Sequence, residues 1–169
     1  MKQSERSKQW IIDALFELMK TKSYQEITIK DLTEKAGVAR LTFYRNFETK
    51  EDVLVKHFEN MFAQYLNDLN AFEINTAEDA LTKCFEYWKK NKVHIELFTE
   101  NHLLAALSAP FGNYLETMIN RYDVAKSLTV NQKQFLVGGL FFSMLEWISN
   151  EEEKSAREVA HSILEMLKL

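Results

Sequence analysis

Residues that break regular structure are scarce in this chain, with four glycines and one proline among 169 residues. That scarcity argues against a strand-rich fold held by tight turns. The many Leu, Glu, Lys, Phe and Met residues favour long helices instead. Cysteine is nearly missing too. A lone Cys84 excludes an internal disulfide and a multi-cysteine zinc site, and it points to a reducing, cytoplasmic setting. The four histidines, His57, His94, His102 and His161, lack the spacing of metal ligands. There is no glycine-rich phosphate loop and no nucleophile elbow. No metal, cofactor or enzymatic activity is therefore expected. The uncharged run from Gln134 to Leu145 is too short to cross a bilayer, so no membrane partner is expected. Met1 to Gln9 is polar, and the apolar residues after it are broken by Asp13 and Glu17, which argues against a secretory signal.

The composition that remains is 46% hydrophobic and 27% charged, a mixture that buries a core rather than staying disordered. The net charge of −4 conceals an uneven distribution. Residues 1–50 hold ten Lys and Arg against seven acids; residues 51–169 hold eleven against eighteen. A polyanion is thus attracted by the first part and repelled by the second.

Helical spacing runs almost throughout. Ile11, Ala14, Leu15, Leu18 and Met19 mark one face of a helix from about Glu5 to Thr21. Thr28, with Asp31 three residues on, is placed to cap a short helix that Gly37 ends. Arg40 to Asn46 form another short helix with Phe43 and Phe47 turned inward, and Thr49 caps a longer one from Lys50 to about Asn70. Thr76 and Asp79 open the next, with Leu81, Cys84, Phe85 and Trp88 in its stripe; an inert, buried thiol is expected at Cys84. A less regular helical stretch from Val93 to Leu107 is expected to stop before Pro110, because proline disfavours helical geometry in the residue before it. Phe111 to Tyr122 read as a separate helix. Asn131 is expected to cap a helix reaching Ser149, Glu151 to Glu153 to form a solvated loop, and Ser155 to begin the last helix.

Two short helices around Ala36-Gly37-Val38 have the spacing of a helix-turn-helix. The outward residues of the second, Arg40, Leu41, Thr42, Tyr44, Arg45 and Asn46, offer cations, hydroxyls and an amide to phosphates and base edges. The string from Ser23 to Leu54, with Ala36-Gly37-Val38, Thr42-Phe43-Tyr44, Phe47 and Lys50-Glu51 at fixed offsets, resembles the DNA-binding domain of the tetracycline-repressor (TetR) family. The resemblance covers roughly residues 8 to 55. It implies phosphate contacts from Thr28, Tyr44 and Lys50, and base-edge contacts from Arg40, Leu41, Thr42 and Arg45. Ala39 stands where that family usually has Ser or Thr, which removes a helix-capping oxygen worth about 1 kcal/mol. Leu41 replaces a usually small residue and offers an apolar group to a thymine methyl.

The fold expected is all-α, with a three-helix helix-turn-helix domain at residues 1–50. Residues 51–169 are expected to form a helical domain for effector binding and dimerisation. The resemblance implies an apolar cavity in the second part for an unknown small-molecule effector; Trp88, Phe98, Tyr114, Met118 and Phe142 are its candidate lining, and His94, Asn101 and His102 could orient a polar group. Gly138-Gly139 sits inside an apolar helix, where each glycine costs about 1 kcal/mol unless another helix approaches closely. With Phe135, Phe142, Leu145, Ile163, Leu164 and Leu167, these glycines mark a candidate homodimer interface, for which the resemblance implies a four-helix bundle with two helices from each copy. The expected function is a ligand-responsive repressor binding a palindromic operator in double-stranded DNA as a homodimer. The alternative is a TetR-like co-regulator that has lost operator binding and acts through protein contacts.

Overall fold

Local chemistry sets the helix boundaries of the computed structural model, which describes residues 3–69, 74–122, 128–150 and 154–167. The side chains of residues 3, 119–122 and 167 lie outside that description, Leu167 among them, as do Glu151 to Glu153. Nine α-helices and no strand occur among the described residues. They are α1 (Gln3–Met19), α2 (Ile29–Ala36), α3 (Arg40–Asn46), α4 (Lys50–Leu69), α5 (Ala77–Lys90), α6 (Lys92–Glu100), α7 (Leu104–Tyr122), α8 (Val130–Ser149) and α9 (Ala156–Leu167). A 3-10 turn, Tyr24–Glu26, precedes α2. No described helix is long and apolar enough to cross a membrane. The all-α expectation holds.

Two compact units form, one of Met1–Asn60 with Glu96–Leu107 and the other of Met61–Ile95 with Ser108–Leu169. In the first unit α1, α2 and α3 pack on one another. Ile11, Leu15, Leu32, Phe43, Phe47 and Phe58 are sealed in its core, and truncating such a phenylalanine to alanine costs about 3–5 kcal/mol. In the second unit α5 packs against α8 and α9. Arg157 on α9 pairs with Asp79 at 2.7 Å and Glu78 at 3.5 Å, and His161 lies 2.9 Å from Glu78. Phe62, Trp88 and Tyr114 pack face to face or tilted at 4.8 Å between ring centres, and Phe111 meets Phe141 at 5.0 Å.

Three boundaries differ from the sequence expectation. Pro110 lies inside α7 rather than ending a helix. Phe111, Tyr114, Leu115 and Met118 follow it at helical spacing and are all buried, so side-chain burial offsets the hydrogen bond that proline cannot donate. The chain breaks earlier, at His102, whose φ of 58° is left-handed. There Leu103 N–H donates to the Phe98 carbonyl and His102 N–H to the Thr99 carbonyl, the paired closing bonds that finish a helix through one left-handed residue. The third difference concerns α8, which is capped by Thr129 and not Asn131. The Thr129 hydroxyl accepts from Gln132 N–H, and the Gln132 side chain accepts from Thr129 N–H; Asn131 falls one residue inside the helix.

Candidate nucleic-acid interface

The site is built from the start of α2, the whole of α3 and the first residue of α4. At the first, the Thr28 hydroxyl accepts from Asp31 N–H at 3.1 Å while Asp31 Oδ2 accepts from Thr28 N–H at 2.8 Å. These reciprocal bonds use two of the four amides that a helix start leaves open, and those of Ile29 and Lys30 remain for an outside acceptor. The Asp31 carboxyl also takes 2.9 Å contact from Lys22. The Thr28 backbone N–H first, then the Lys22 ammonium, hold it well below the usual carboxylate range. Gly37 then turns the chain at φ 65°. Val38 N–H donates back to Thr33 and Gly37 N–H to Glu34. A side chain at Gly37 would be strained by that φ, although a Cβ there would meet nothing within 4 Å.

Helix α3 has Ala39 at its N-cap and no side-chain cap bond. Its inward residues fix it: Phe43 and Phe47 are buried, and Asn46 is buried with them. The expectation that Asn46 faces outward is corrected here. Its Nδ2 donates to the Thr42 carbonyl at 2.7 Å, its Oδ1 accepts from the Ser4 hydroxyl at 3.1 Å, and its carbonyl accepts from Lys56 Nζ at 3.1 Å. Asn46 thus ties the end of α3 to α1 through its side chain and to α4 through its backbone carbonyl. An amide that satisfies a carbonyl four residues back looks the same in sequence as one reaching for a base, so no sequence signal marked this role.

With that side anchored, the other side projects as a set. Arg40 and Arg45 are exposed, Leu41 is 61% exposed, Tyr44 is 49% exposed, and Thr42 is half-buried. Tyr44 stands edge-on to the sealed Phe43 at 5.4 Å. The Arg40 guanidinium lies 5.8 Å over the Tyr44 ring and 3.4 Å from its hydroxyl. Two hydroxyls, two guanidiniums and one large apolar side chain therefore share one short helix. That group set can grip phosphates and test base edges together. Lys50, at the start of α4, is less free. Its ammonium donates to the Tyr24 carbonyl at 2.7 Å and sits 4.3 Å over the Tyr24 ring. Burial lowers its pKa from the usual lysine value. Two of its three N–H donors remain for an anion.

The other candidate residues are dispersed. Trp88, Tyr114 and Met118 are buried in the second unit, whereas Phe98 is sealed in the first against Phe16 and Phe58. Phe142 is 65% exposed and Phe135 is 73% exposed on α8; Leu145 is buried, and Ile163 and Leu164 are half-buried. A Cβ added at Gly138 or Gly139 would meet nothing within 4 Å among the described residues beyond its chain neighbours and the adjacent backbone of its own helix. Cys84 is buried, and its thiol is pushed up to about 12 by burial, as an inert core thiol should be.

Residues 11–56 match the family model described as bacterial regulatory proteins, tetR family. The dhaKLM operon transcriptional activator DhaS of Lactococcus lactis is 37% identical over 68 residues, which take in 40% of this chain and 36% of that protein. Among solved structures, a protein of Listeria innocua superposes with a TM-score of 0.82 at 15% identity, covering 97% of this chain and 90% of the other. The transcriptional regulator FadR of Bacillus subtilis, solved with stearoyl-CoA, superposes with a TM-score of 0.57 at 22% identity, covering 94% and 96%.

Proposed function

Since the chain belongs to the tetR family of bacterial regulatory proteins, whose members are DNA-binding transcriptional regulators, we propose that it is a cytoplasmic homodimer that represses transcription from a palindromic operator. The observation that carries this reading is the outward face of α3. Arg40, Leu41, Thr42, Tyr44 and Arg45 project together because Phe43, Asn46 and Phe47 hold the opposite side. In a major groove, Arg40 and Arg45 would read guanine edges and Leu41 a thymine methyl. Tyr44, Lys50 and the open amides beside Thr28 would hold phosphates.

The dimer is supported by what α8 leaves uncovered. Phe135, Gly139 and Phe142 form an exposed apolar stripe, and a Cβ at Gly138 or Gly139 would meet nothing from another described helix within 4 Å. A second copy meeting it about a two-fold axis would use that space for close helix approach and would present two α3 helices to one duplex. An effector bound among the aromatic side chains of the second unit, around Trp88, Tyr114 and Met118, would release DNA by favouring a state with lower operator affinity. Since FadR binds stearoyl-CoA, long-chain acyl-CoA thioesters are the first effectors to screen.

Anisotropy with duplex DNA from upstream of the gene tests the core of the reading. Binding should weaken steeply between about 50 and 200 mM salt, by a factor of about 10³ if six phosphates are neutralised. Arg45→Ala should cost about 1–3 kcal/mol on the preferred sequence and flatten discrimination at one base pair. A chain that ignores its own upstream DNA at low salt would instead be a co-regulator working through protein contacts.

A further inference from the structure

The end of α6 is built into the DNA-reading unit although it lies far along the chain. Phe98 is sealed there, 4.6 Å edge-on from Phe58 and 6.2 Å from Phe16. Three residues on, Asn101 is buried, and its carboxamide is committed at both ends. Its Nδ2 donates to the Leu97 carbonyl at 2.8 Å, and its Oδ1 accepts the backbone N–H of Tyr24, also at 2.8 Å and 77 positions away. The same Tyr24 holds Lys50, through its carbonyl at 2.7 Å and its ring at 4.3 Å. A single residue therefore connects Asn101 to the first side chain of α4.

We propose that Asn101 is a positioning residue for DNA binding, setting the direction of the Lys50 ammonium by holding Tyr24. The inference rests on the reading of Lys50 as a phosphate contact. A lysine side chain has four flexible methylenes and reaches one anion reproducibly only if something fixes its end. Here that fixture is the Tyr24 carbonyl and ring, which belong to a three-residue 3-10 turn with no side-chain cap bond at Ser23. So short a turn has little rigidity of its own. The Tyr24 N–H is buried, and Asn101 supplies the acceptor that it would otherwise lack. The turn, and with it the ammonium, is thus held by a side chain from residues 96–107.

The test is anisotropy of the full chain with its upstream duplex over a range of salt concentrations. Lys50→Ala should reduce the salt slope by about one. Asn101→Ala should weaken binding about fivefold, the measure of one neutral hydrogen bond, and reduce the slope similarly. Combined with Lys50→Ala, it should add less than a twofold loss. Asn101→Asp keeps an acceptor for Tyr24 N–H and should bring the slope back. Equal losses in both backgrounds, or an unchanged slope in Asn101→Ala, would overturn the positioning role. An unchanged affinity and slope in Lys50→Ala would instead overturn the phosphate reading of Lys50. Hydrogen exchange on the unaltered protein gives a check independent of any substitution: the Tyr24 amide should exchange slowly, and exchange at the rate of an open amide would refute the link.

Discussion

Replacing Phe142 by alanine gives a quantitative test of the two-fold assembly. The side chain is 65% exposed in the single chain, and a phenylalanine presents about 200 Å². Roughly 130 Å² of apolar surface is thus available to a partner, of which truncation removes about 100 Å². At about 25 cal/mol per Å² that is ~2.5 kcal/mol per copy. Symmetry places the change on both sides of the interface, so the dimer loses ~5 kcal/mol, between three and four orders of magnitude in its dissociation constant. The fold of one copy should suffer far less. The ring lies edge-on to Phe141 at 5.5 Å, a contact worth about 0.5–1.5 kcal/mol. Sedimentation equilibrium across a hundredfold range of concentration separates the two effects. The unaltered chain should remain dimeric at low micromolar concentration while Phe142→Ala dissociates, with far-ultraviolet circular dichroism unchanged. Equally tight association of the variant, or a monomeric unaltered chain at tens of micromolar, would refute the assignment of this stripe to the dimer.

Two further outcomes concern groups whose environments the structure defines. Thr28→Ala should destabilise the fold by about 1 kcal/mol in urea unfolding, since it removes the acceptor for Asp31 N–H. The folded Asp31 carboxyl lies below its usual pKa, so its contribution is fully present above the ordinary carboxylate range and fades as pH falls from that range down through the lowered folded value; Asp31→Asn should therefore flatten the acid limb of a stability-versus-pH curve, and an unchanged limb would refute the cap. Burial raises the Cys84 thiol to about 12, so a disulfide reagent at pH 8 should label the folded protein orders of magnitude more slowly than the urea-unfolded chain. Rapid labelling without denaturant would show that the α5 stripe is open.

Much of the architecture was legible because it is local. Thr28 and Asp31 sit three residues apart, within reach of each other's amides, and Gly37 follows the last apolar position of its helix. Such spacings specify a capped helix and a left-handed exit before any tertiary contact forms. The 3.6-residue recurrence of Ile11, Leu15 and Met19 likewise marked a buried face, and those three are buried. The resemblance from Ser23 to Leu54 covered most of the 46 residues that match the family model. Pro110 and Asn131 show the limit of local rules. Proline's preference against helix yielded to four buried side chains on the turns that follow, and Thr129 with Gln132 outcompeted a neighbour with equal capping chemistry.

What only the tertiary structure decided are pairings between distant residues. Asn46 looks like a base-reading amide and is instead a buried tie between three helices; Phe98 and Asn101 look like ligand contacts and are built into the unit that carries α3. The physical reason is one of range. Caps, turns and helix faces depend on groups within four residues of each other, so their energies are written along the chain. The partner of a buried amide is chosen by whichever backbone group the packed fold brings within 3 Å, and for Asn101 that group lies 77 residues away.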